Sequence, residues 1–409
     1  MSVTRLPFLT ALVFALASFA IATADDHKLL CGLDLTLEGA AGLSGGARRG
    51  EALHALALGH IAWQAPEPAD DRLHFHSYAS VLSLRGDGPS ERFLGDYLAA
   101  SNIEGFESTR LYACWVEAHC GAWSLRAGTL LADEEFAGSE VGGIFLNSAF
   151  GWPAFISANT VNTGPAFYVA APGLRLEHLV VPGLTWRIGL YDGDTFDSAS
   201  GDPAVNRHGL HYQLGGEQGW FIVTELAYAP EGRPTRLKAG AWHHTAMFAD
   251  QYFDEAGQPF ALSGQAPREH PGNSGGYLAL EHTLVGESGK PDYVEFFARL
   301  GTAPGDRSTL TAVLDTGIAW TGPLSARPVD VLALGFVHAQ FGRHLAHTAH
   351  LLDPTGAPVD AEQVIEASYT FPLNDHFSCK ADAQYIRQPG GSRAYGDATL
   401  VMLRMLVSY

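Results

Sequence analysis

Two stretches of the chain match G-x-S-x-G, the pattern of the nucleophile elbow in α/β-hydrolases. They are Gly42–Gly46 and Gly272–Gly276, centred on Ser44 and Ser274. The pattern makes a nucleophile only where it joins a buried strand to a helix in an α/β sheet. This sequence does not alternate strand and helix periods, and its 46 glycines produce chance matches easily. A barrel enzyme such as a lipase, acting through either serine, is therefore only a minor alternative.

The 18 histidines pose the question of a metal site. The densest groups are His243–His244, His74 with His76, and His344, His347 and His350. His74 and His76 share a strand face and could chelate a transition metal, but no matching carboxylate or cysteine pattern accompanies them. Asp192-Gly193-Asp194 lacks the twelve-residue calcium pattern that ends in Glu. We predict neither a metal nor a cofactor.

The four cysteines are Cys31, Cys114, Cys120 and Cys379. In an exported protein they could form disulfides, with three possible pairings. Cys114 with Cys120 would close a local loop, and Cys31 with Cys379 would join distant parts of the chain. Both stay open at this point. The absence of C-x-x-C and C-x-x-H spacing makes a zinc site unexpected.

Composition and the first residues place the chain outside the cytoplasm. Residues 1–24 read as a cleaved signal peptide, with Arg5, an apolar run and the site Ala22-Thr23-Ala24. No later segment has the eighteen or so consecutive apolar residues of a transmembrane helix. The net charge of −19 argues against a nucleic-acid partner. A secreted soluble protein and an outer-membrane barrel both fit these facts.

The dominant hydrophobic period is two, which predicts β-strands. Leu184, Trp186, Ile188 and Leu190 alternate with more polar neighbours, and similar stretches recur along the chain. Segments of about ten alternating residues separated by turns are typical of a transmembrane β-barrel. We therefore predict an all-β fold, a transmembrane antiparallel barrel occupying residues 25–409.

The turn pattern indicates how many strands the barrel has. Short turns such as Pro182-Gly183 alternate with longer polar loops such as 194–206 and 342–360. Roughly seventeen candidate strands can be counted, but such a barrel needs an even number, and sixteen is preferred. The final alternating strand, Thr399–Tyr409, ends on an aromatic residue. We interpret Tyr409 as a signal for the outer-membrane assembly machinery.

Charged residues within the strands must face the lumen. An Arg or Lys facing lipid at mid-bilayer would cost about 2–4 kcal/mol, and closure must leave no open sheet edge in hydrocarbon. The residues assigned to the lumen face on this ground are Arg126, Arg175, Glu177, Arg187, Arg236, Lys238, Glu295, Arg299 and Glu366. A lumen carrying both signs suits a neutral polyhydroxyl solute, since its groups can donate to and accept from sugar hydroxyls.

One stretch does not fit a simple strand-and-turn pattern. About forty residues, from Asp133 to Gly173, separate two alternating segments, and a connection of that length usually has a function. It contains Phe136, Phe145, Phe150, Phe155 and Phe167, too apolar to project into water. We predict that this segment folds into the lumen and narrows it.

Several short blocks together resemble the carbohydrate-selective porins of the OprB family. They are S-N-I-E-G at Ser101, R-L-Y-A-C-W-V-E at Arg110, L-R-A-G at Leu125, A-D-E-E-F at Ala132, G-I-F-L-N-S-A-F-G-W-P at Gly143, G-P-A-F at Gly164, A-A-P-G-L-R-L at Ala170, Y-D-G-D at Tyr191, N-R-H-G at Asn206, K-A-G-A-W-H-H-T at Lys238 and Q-Y-I-R-Q-P-G-G at Gln384. No single block is specific, but they occur in order over nearly the whole chain.

The resemblance implies a sixteen-stranded barrel that passes mono- or oligosaccharides by diffusion, without catalysis. It also implies that the charged residues of the matching blocks line a constriction, with nearby polar and aromatic groups. The candidate constriction residues are Arg110, Glu117, Arg126, Asp133, Glu135, Asn147, Trp152 and Arg175. Arg110 and Glu117 have opposite strand parity, so one of them lies near a strand end or across a bulge.

Two departures from the family pattern have consequences. The polar N-terminal segment with a W-G-G motif is missing, which would leave the channel wider at that end. Ala113 replaces a common acidic residue, which removes one lumen carboxylate. The leading hypothesis is a sugar porin in the outer membrane of a Gram-negative bacterium, contacting outer-membrane lipid. The alternatives are a general or differently selective porin, a barrel enzyme and an exported lectin-like β-protein, and association into a homotrimer stays open.

Overall fold

The computed structural model describes residues 28–66, 72–287 and 290–409. The predicted signal peptide, residues 1–24, lies outside this part. Sixteen β-strands form one closed antiparallel barrel, which confirms the predicted fold and strand number. The strands are β1 Lys28–Gly46, β2 Glu51–Gln64, β3 His74–Arg85, β4 Thr109–Cys120, β5 Trp123–Leu130, β6 Ala171–Val181, β7 Leu184–Asp192, β8 Trp220–Tyr228, β9 Thr235–Asp254, β10 Pro267–Val285, β11 Tyr293–Thr302, β12 Leu310–Thr321, β13 Val331–Phe341, β14 Ala361–Asn374, β15 Phe377–Arg387 and β16 Gly396–Ser408.

Each strand pairs with its neighbours in sequence, and β1 pairs with β16 to close the barrel. Glu38 of β1 lies opposite Arg404 of β16. The Leu33 amide also donates to the Tyr409 carbonyl at 2.9 Å. Closure leaves neither β1 nor β16 with an open edge, as a sheet in hydrocarbon requires.

The two faces of the strands separate by polarity, as the period of two predicts. On β11, Leu300 is 47% exposed on the outer face, whereas its neighbour Arg299 is 0% exposed on the inner face. Leu332 and Leu334 of β13 are exposed in the same way, on either side of the buried Ala333. An apolar outer band is what contact with lipid requires.

The connections differ between the two ends of the barrel. At the end holding Lys28 and Tyr409 they include turns 121–122, 182–183 and 375–376. The long loops lie at the other end and include 86–108, 131–170 and 193–219. The helical elements are α1 Ala154–Ser157, α2 Phe260–Ser263, α3 Arg343–Leu352, a π-helical turn Ser90–Leu94, and 3-10 turns Gly142–Ile144, Ser148–Phe150, Val161–Thr163, Gly216–Gln218 and Pro389–Gly391. None of the helices among the described residues has the length and apolar character needed to cross a membrane.

Residues 131–170, called the inner segment below, lie inside the barrel. Phe145, Phe150 and Phe155 of this segment are at most 1% exposed. Phe145 and Phe150 stack at 4.4 Å between ring centroids, and both approach Phe297 of β11. The apolar core of the barrel is therefore the interface between the inner segment and the barrel wall.

Glycines on the wall make this close packing possible. A Cβ atom on Gly301 of β11 would lie 2.1 Å from Phe155, and one on Gly335 of β13 would lie 2.6 Å from Phe150. Glycine in a strand interior often marks such a close approach. Phenyl rings of the inner segment thus rest directly on the backbone of the wall.

A bulge in β4 resolves the parity of Arg110 and Glu117. Ser80 of β3 pairs with Ala113, whereas the next residue, Val81, pairs with Leu111. Tyr112 is the extra residue, and a bulge of this kind shifts the facing of every residue beyond it. The predicted break in alternation is confirmed.

The four cysteines, all within the described part, form no disulfide. The local pairing of Cys114 with Cys120 is wrong because both lie on β4. Six residues of extended strand span about 20 Å, whereas a disulfide needs Cα atoms within about 7 Å. The pairing of Cys31 with Cys379 is also wrong, since β16 lies between their strands.

Candidate functional site

Four of the predicted constriction residues form a closed ring of ion pairs. Arg126 contacts Glu117 at 2.8 Å and Glu135 at 2.6 Å. Arg175 contacts Glu117 at 2.7 Å and also pairs with Glu135. Each carboxylate therefore bridges both guanidinium groups. Cross-strand register explains the geometry, since Glu117, Arg126 and Arg175 are direct neighbours on β4, β5 and β6.

This ion-pair ring ties the inner segment to the wall. Glu135 belongs to the segment, whereas the other three members belong to strands. The ring side chains are only 4–17% exposed. The Arg126 guanidinium also lies 3.9 Å from the ring centroid of Trp115. The four charges neutralise one another and hold the start of the segment in place.

Arg110 lies apart from the ion-pair ring. It is 2% exposed, and its Nε donates to the Ser108 hydroxyl at 3.1 Å. Its Nη2 donates to the carbonyls of Asn206 and Arg207, both at 3.2 Å. Its guanidinium also lies 5.1 Å from the Tyr168 ring. Arg110 thus fastens the 193–219 loop and the end of the inner segment.

The remaining candidates divide between the open space of the barrel and its packed interior. Asp133 and Trp152 both line a cavity beside the inner segment. Asp133 accepts the Phe167 amide at 2.9 Å, and burial raises the pKa of Asp133 to about 6. Asn147 differs from the expectation for a constriction residue. It is 0% exposed and donates to Gln384 at 3.3 Å, because its turn lies against the wall.

Wall carboxylates hold the backbone of the inner segment. Glu225 accepts the Ala137 amide at 2.8 Å. Glu281 accepts the Ser139 hydroxyl and the Glu140 amide, both at 2.7 Å. Glu366 likewise accepts the amides of Leu146 and Asn147 at 2.5 and 2.9 Å. Hydrogen bonds to charged groups contribute about 1.5–3 kcal/mol each, so these three side chains are strong attachment points.

Cationic wall residues hold the segment's carbonyl groups in the same way. Arg299 pairs with Asp315 at 2.8 Å and donates to the carbonyls of Ala149 and Phe150 at 2.9 and 3.0 Å. Lys238 donates to the Gly138 carbonyl at 2.8 Å. Attachment through both amides and carbonyls fixes the path of the inner segment along β8–β15.

The other predicted lumen residues lie on the inner face, but two of them do not face water. Arg299 and Glu366 are 0% exposed, because the inner segment covers them. The prediction that these two residues line an open lumen is therefore wrong. Arg187 pairs with Glu177, and Arg236 contacts Glu281 at 2.9 Å and Glu295 at 3.2 Å.

Several charged residues of the inner face were not among those predicted from the sequence. They are Glu38, Glu225, Glu281, Asp315, Lys380, Asp382 and Arg404. Arg404 pairs with Glu38 at 2.5 Å across the β1–β16 closure. Strand parity could have identified it, since Leu403 and Met405 occupy the opposite face of β16 from Arg404.

The inner segment leaves a cavity of about 580 Å³ on the side of β2, β3, β4 and loop 86–108. Its aliphatic wall includes Leu56, Leu58 and Leu82. The aromatic side chains that line it are Tyr97, Tyr112, Trp152, Phe167, Tyr168 and Phe196. The charged residues in this lining are Glu104, Asp133 and Arg404. We call this cavity the passage.

We expect Glu135→Gln to loosen the start of the inner segment. The substitution leaves Arg126 and Arg175 with one shared carboxylate, and weakening a charged hydrogen bond costs about 1.5–3 kcal/mol. Backbone amides of residues 131–137 should then exchange with deuterium faster. The matched control is Glu140→Gln, because Glu140 lies on the same segment but its ion pair with Arg236, at 3.2 Å, is solvent-exposed and contributes little. Equal protection in both variants would contradict an anchoring role of the ion-pair ring.

The protein-family model described as carbohydrate-selective porin, OprB family, matches residues 72–409. The chain belongs to the OprB family. Porin B of Pseudomonas aeruginosa is 23% identical over 272 residues. That match covers 63% of this chain and 55% of Porin B, so the chain matches about half the length of this relative.

Solved structures agree with the OprB-family fold. OprB of Pseudomonas putida at high pH superposes with a TM-score of 0.81, 19% identity, and coverage of 93% of this chain and 94% of that one. The outer-membrane channel DcaP of Acinetobacter baumannii gives a TM-score of 0.56 at 11% identity, covering 96% and 100% of the two chains. The OprB family and the barrel fold are those of a channel in the outer membrane of Gram-negative bacteria. The short turns then face the periplasm and the long loops the cell exterior.

The two G-x-S-x-G matches and the histidine pair His74 and His76 lie on strands of this OprB-family barrel. Ser44 lies in β1 and Ser274 in β10, and neither joins a strand to a helix. Ser274 Oγ lies 2.8 Å from His243 Nδ1 as a cross-strand pair. His74 and His76 form a ring cluster with His119. In the described part of the chain, no three His, Cys, Asp or Glu residues are arranged to hold a metal ion.

Proposed function

We propose that this OprB-family porin lets uncharged carbohydrates diffuse through the passage beside the inner segment. The passage combines aromatic side chains with hydroxyl and amide groups, including Asn102, Ser148 and Thr163. Aromatic faces can pack on sugar C–H faces, while the polar groups can exchange hydrogen bonds with sugar hydroxyls. This composition is typical of sites that orient small polar solutes within a largely apolar lining.

The carrying observation is that the passage lining has no unpaired cation among the described residues. The ion-pair ring contains two Arg and two Glu residues, and Arg404 at the passage is paired with Glu38. A pore selective for anions would need unpaired cations facing its lumen. The passage therefore does not suit an anion, and its mainly aromatic and aliphatic lining favours a neutral hydroxyl-rich solute.

Trp152 is the side chain we assign to direct contact with the solute. Its indole Nε1 donates to the Thr163 carbonyl at 2.9 Å, which fixes the orientation of the ring. The ring lies on the passage lining and is partly exposed. A rigid, partly exposed indole loses little conformational entropy when a sugar packs against it.

Further parts of the proposal rest on sequence features. Residues 1–24 act as a signal peptide that is cleaved on export. The alternating strand β16 with Tyr409 is the element that the assembly machinery recognises. The barrel acts as a channel without enzymatic activity. The outer apolar band contacts lipid. Sedimentation of the detergent-solubilised protein would separate a monomer from a trimer and so test the oligomeric state.

The function is tested by sugar titration in planar bilayers and by liposome swelling. We expect glucose or a short oligosaccharide to reduce the ion current and to enter liposomes faster than an amino acid of equal size. If a sugar does neither, the carbohydrate proposal fails and a general or differently selective porin replaces it.

Trp152→Ala should weaken sugar block of the current about tenfold, since about 1.4 kcal/mol of lost contact energy changes a dissociation constant tenfold. The matched control is Trp320→Ala, because Trp320 is 40% exposed next to the buried Ala319 and so lies on the outer face of β12. Block that is equally strong in both variants would remove Trp152 from the solute path.

A further inference from the structure

The loop joining β3 to β4, residues 86–108, forms one side of the passage. Its contributions to the lining run from Tyr97 to Ala99 and from Asn102 to Glu104. The loop enters the barrel through its π-helical turn, where Phe93 packs against Gly42 of β1 and Gly50 of the β1–β2 connection. A change in how this loop docks would therefore change the width of the passage.

One carboxyl group fastens the loop to the wall, and a second holds the loop together internally. Glu362, at the start of β14, accepts the amides of Tyr97 and Leu98 at 2.8 and 2.9 Å. Glu104, within the loop, accepts the Ser90 amide at 3.0 Å and the Ser101 amide at 2.9 Å. The docked form of the loop thus depends on one acidic group of the wall and on one of the loop itself.

Asp96 lies between these attachments, directly before Tyr97. Both of its carboxyl oxygens are buried, and neither has a hydrogen-bond partner among the described residues. An ionised carboxylate without a partner is costly to bury, so such a group takes up a proton instead. Asp96, Glu104 and Glu362 form no ion pair within the described part of the chain.

Other charged groups near the loop are already engaged. Arg404 of β16 and His54 of β2 reach the Ser101 hydroxyl at 3.2 and 3.3 Å, and both also contact Glu38 of β1. On the loop itself, Arg92 pairs with Asp87 at 3.2 Å, and Glu91 lies beside it on the π-helical turn. Tyr395 lies against Gly95, and Tyr168 of the inner segment lies against Gly105. These contacts leave the three carboxyl groups without a compensating cation.

We propose that loop 86–108 is a pH-dependent gate of the passage, docked when Asp96 and Glu104 are protonated and displaced outward when they ionise. The inference rests on the proposed function, because it takes the passage as the path of the solute. Ionisation of Asp96 and Glu104 would place two negative charges close together in a buried site without a cation, and their mutual repulsion would favour the displaced loop, where water can solvate them.

The titration of the two loop residues gives the pH range. Burial raises the pKa of Asp96 to about 6. Burial and the neighbouring Asp96 raise the pKa of Glu104 to about 8. Because these pKa values lie above the usual values of 3.8 and 4.5, the docked loop binds more protons than the displaced loop. Its stability is therefore lost as pH rises, most of it by about pH 8.

The test is single-channel conductance of the full porin in planar bilayers with potassium chloride, measured from acidic to mildly alkaline pH. Conductance should rise with pH, because displacement of the loop widens the passage. One carboxyl group can change the ratio of displaced to docked loop by up to about tenfold per pH unit. Asp96→Asn and Glu104→Gln should each flatten this rise. The control is Glu107→Gln, since Glu107 lies on the same loop and is exposed.

Two outcomes would overturn the gate: a wild-type conductance independent of pH, or an unchanged pH profile in both variants. Sugar uptake into liposomes is measured on the same samples. A flat pH profile with intact sugar uptake removes the gate alone. A retained pH profile without any sugar uptake removes the carbohydrate proposal and leaves a gated ion path.

Discussion

Deletion of residues 138–164 is expected to raise single-channel conductance severalfold and to abolish discrimination among sugars by size. The deleted residues carry Phe145, Phe150 and Phe155, which cover the inner face of the wall. Their removal would expose buried wall charges such as Arg299 and Glu366 to water. Barrel strands pair with one another independently of the inner segment, so the barrel should stay closed.

Planar-bilayer conductance and liposome swelling with sugars of increasing size measure the result. Detergent-resistant migration in gels reports that the deletion variant still forms a barrel. A folded deletion variant with unchanged conductance would mean that another element, such as loop 86–108, sets the pore size.

The second large effect is expected from Arg299→Met. Arg299 and its partner Asp315 are both 0% exposed, and Arg299 also donates to the Gly151 carbonyl at 3.0 Å. Breaking a buried ion pair from one side costs about 3–5 kcal/mol, because the remaining charge is left unpaired. The inner segment should therefore detach locally, and the current should become larger and noisier.

A matched series separates loss of anchoring from general damage. The double variant Arg299→Met with Asp315→Asn removes the unpaired charge and should recover part of the stability to heat. Arg233→Met is the control, since Arg233 is exposed in the turn between β8 and β9. If the single variant keeps the wild-type conductance and stability, Arg299 does not hold the segment.

The barrel could be predicted because membrane physics acts on each strand separately. Leu300 beside Arg299 already shows which face meets lipid, and the rule needs no knowledge of neighbouring strands. The same local rule extends to Arg404, whose neighbours Leu403 and Met405 are apolar.

The path of the inner segment could not be predicted in this way. Arg299 and Glu366 face inward as predicted, but they lie under the segment because its carbonyl and amide groups reach them. The burial of Asn147 has the same explanation, since its turn packs on the wall and not beside the passage. Such contacts depend on a three-dimensional course that local periodicity does not encode.

The ion-pair ring shows an intermediate case. Its members were named as candidates through the family resemblance, but their mutual pairing depends on strand register. Glu117, Arg126 and Arg175 meet only because three strands place them side by side, and Glu135 arrives from the segment. Register is set by turns and bulges such as the one at Tyr112, and these were visible only as a break in alternation.

The pairing of β1 with β16 has a consequence for how the barrel assembles. Every other strand pairing joins neighbours in sequence, whereas Glu38 and Arg404 are separated by 366 residues. Contacts between distant residues carry the larger loop-closure entropy and form slowly. Assembly can therefore proceed hairpin by hairpin, but β1 keeps an unsatisfied edge until β16 arrives. The unpaired edge of β1 must therefore be kept away from hydrocarbon during membrane insertion. Pairing of β1 with β16 is the last step, after which the whole barrel can face lipid.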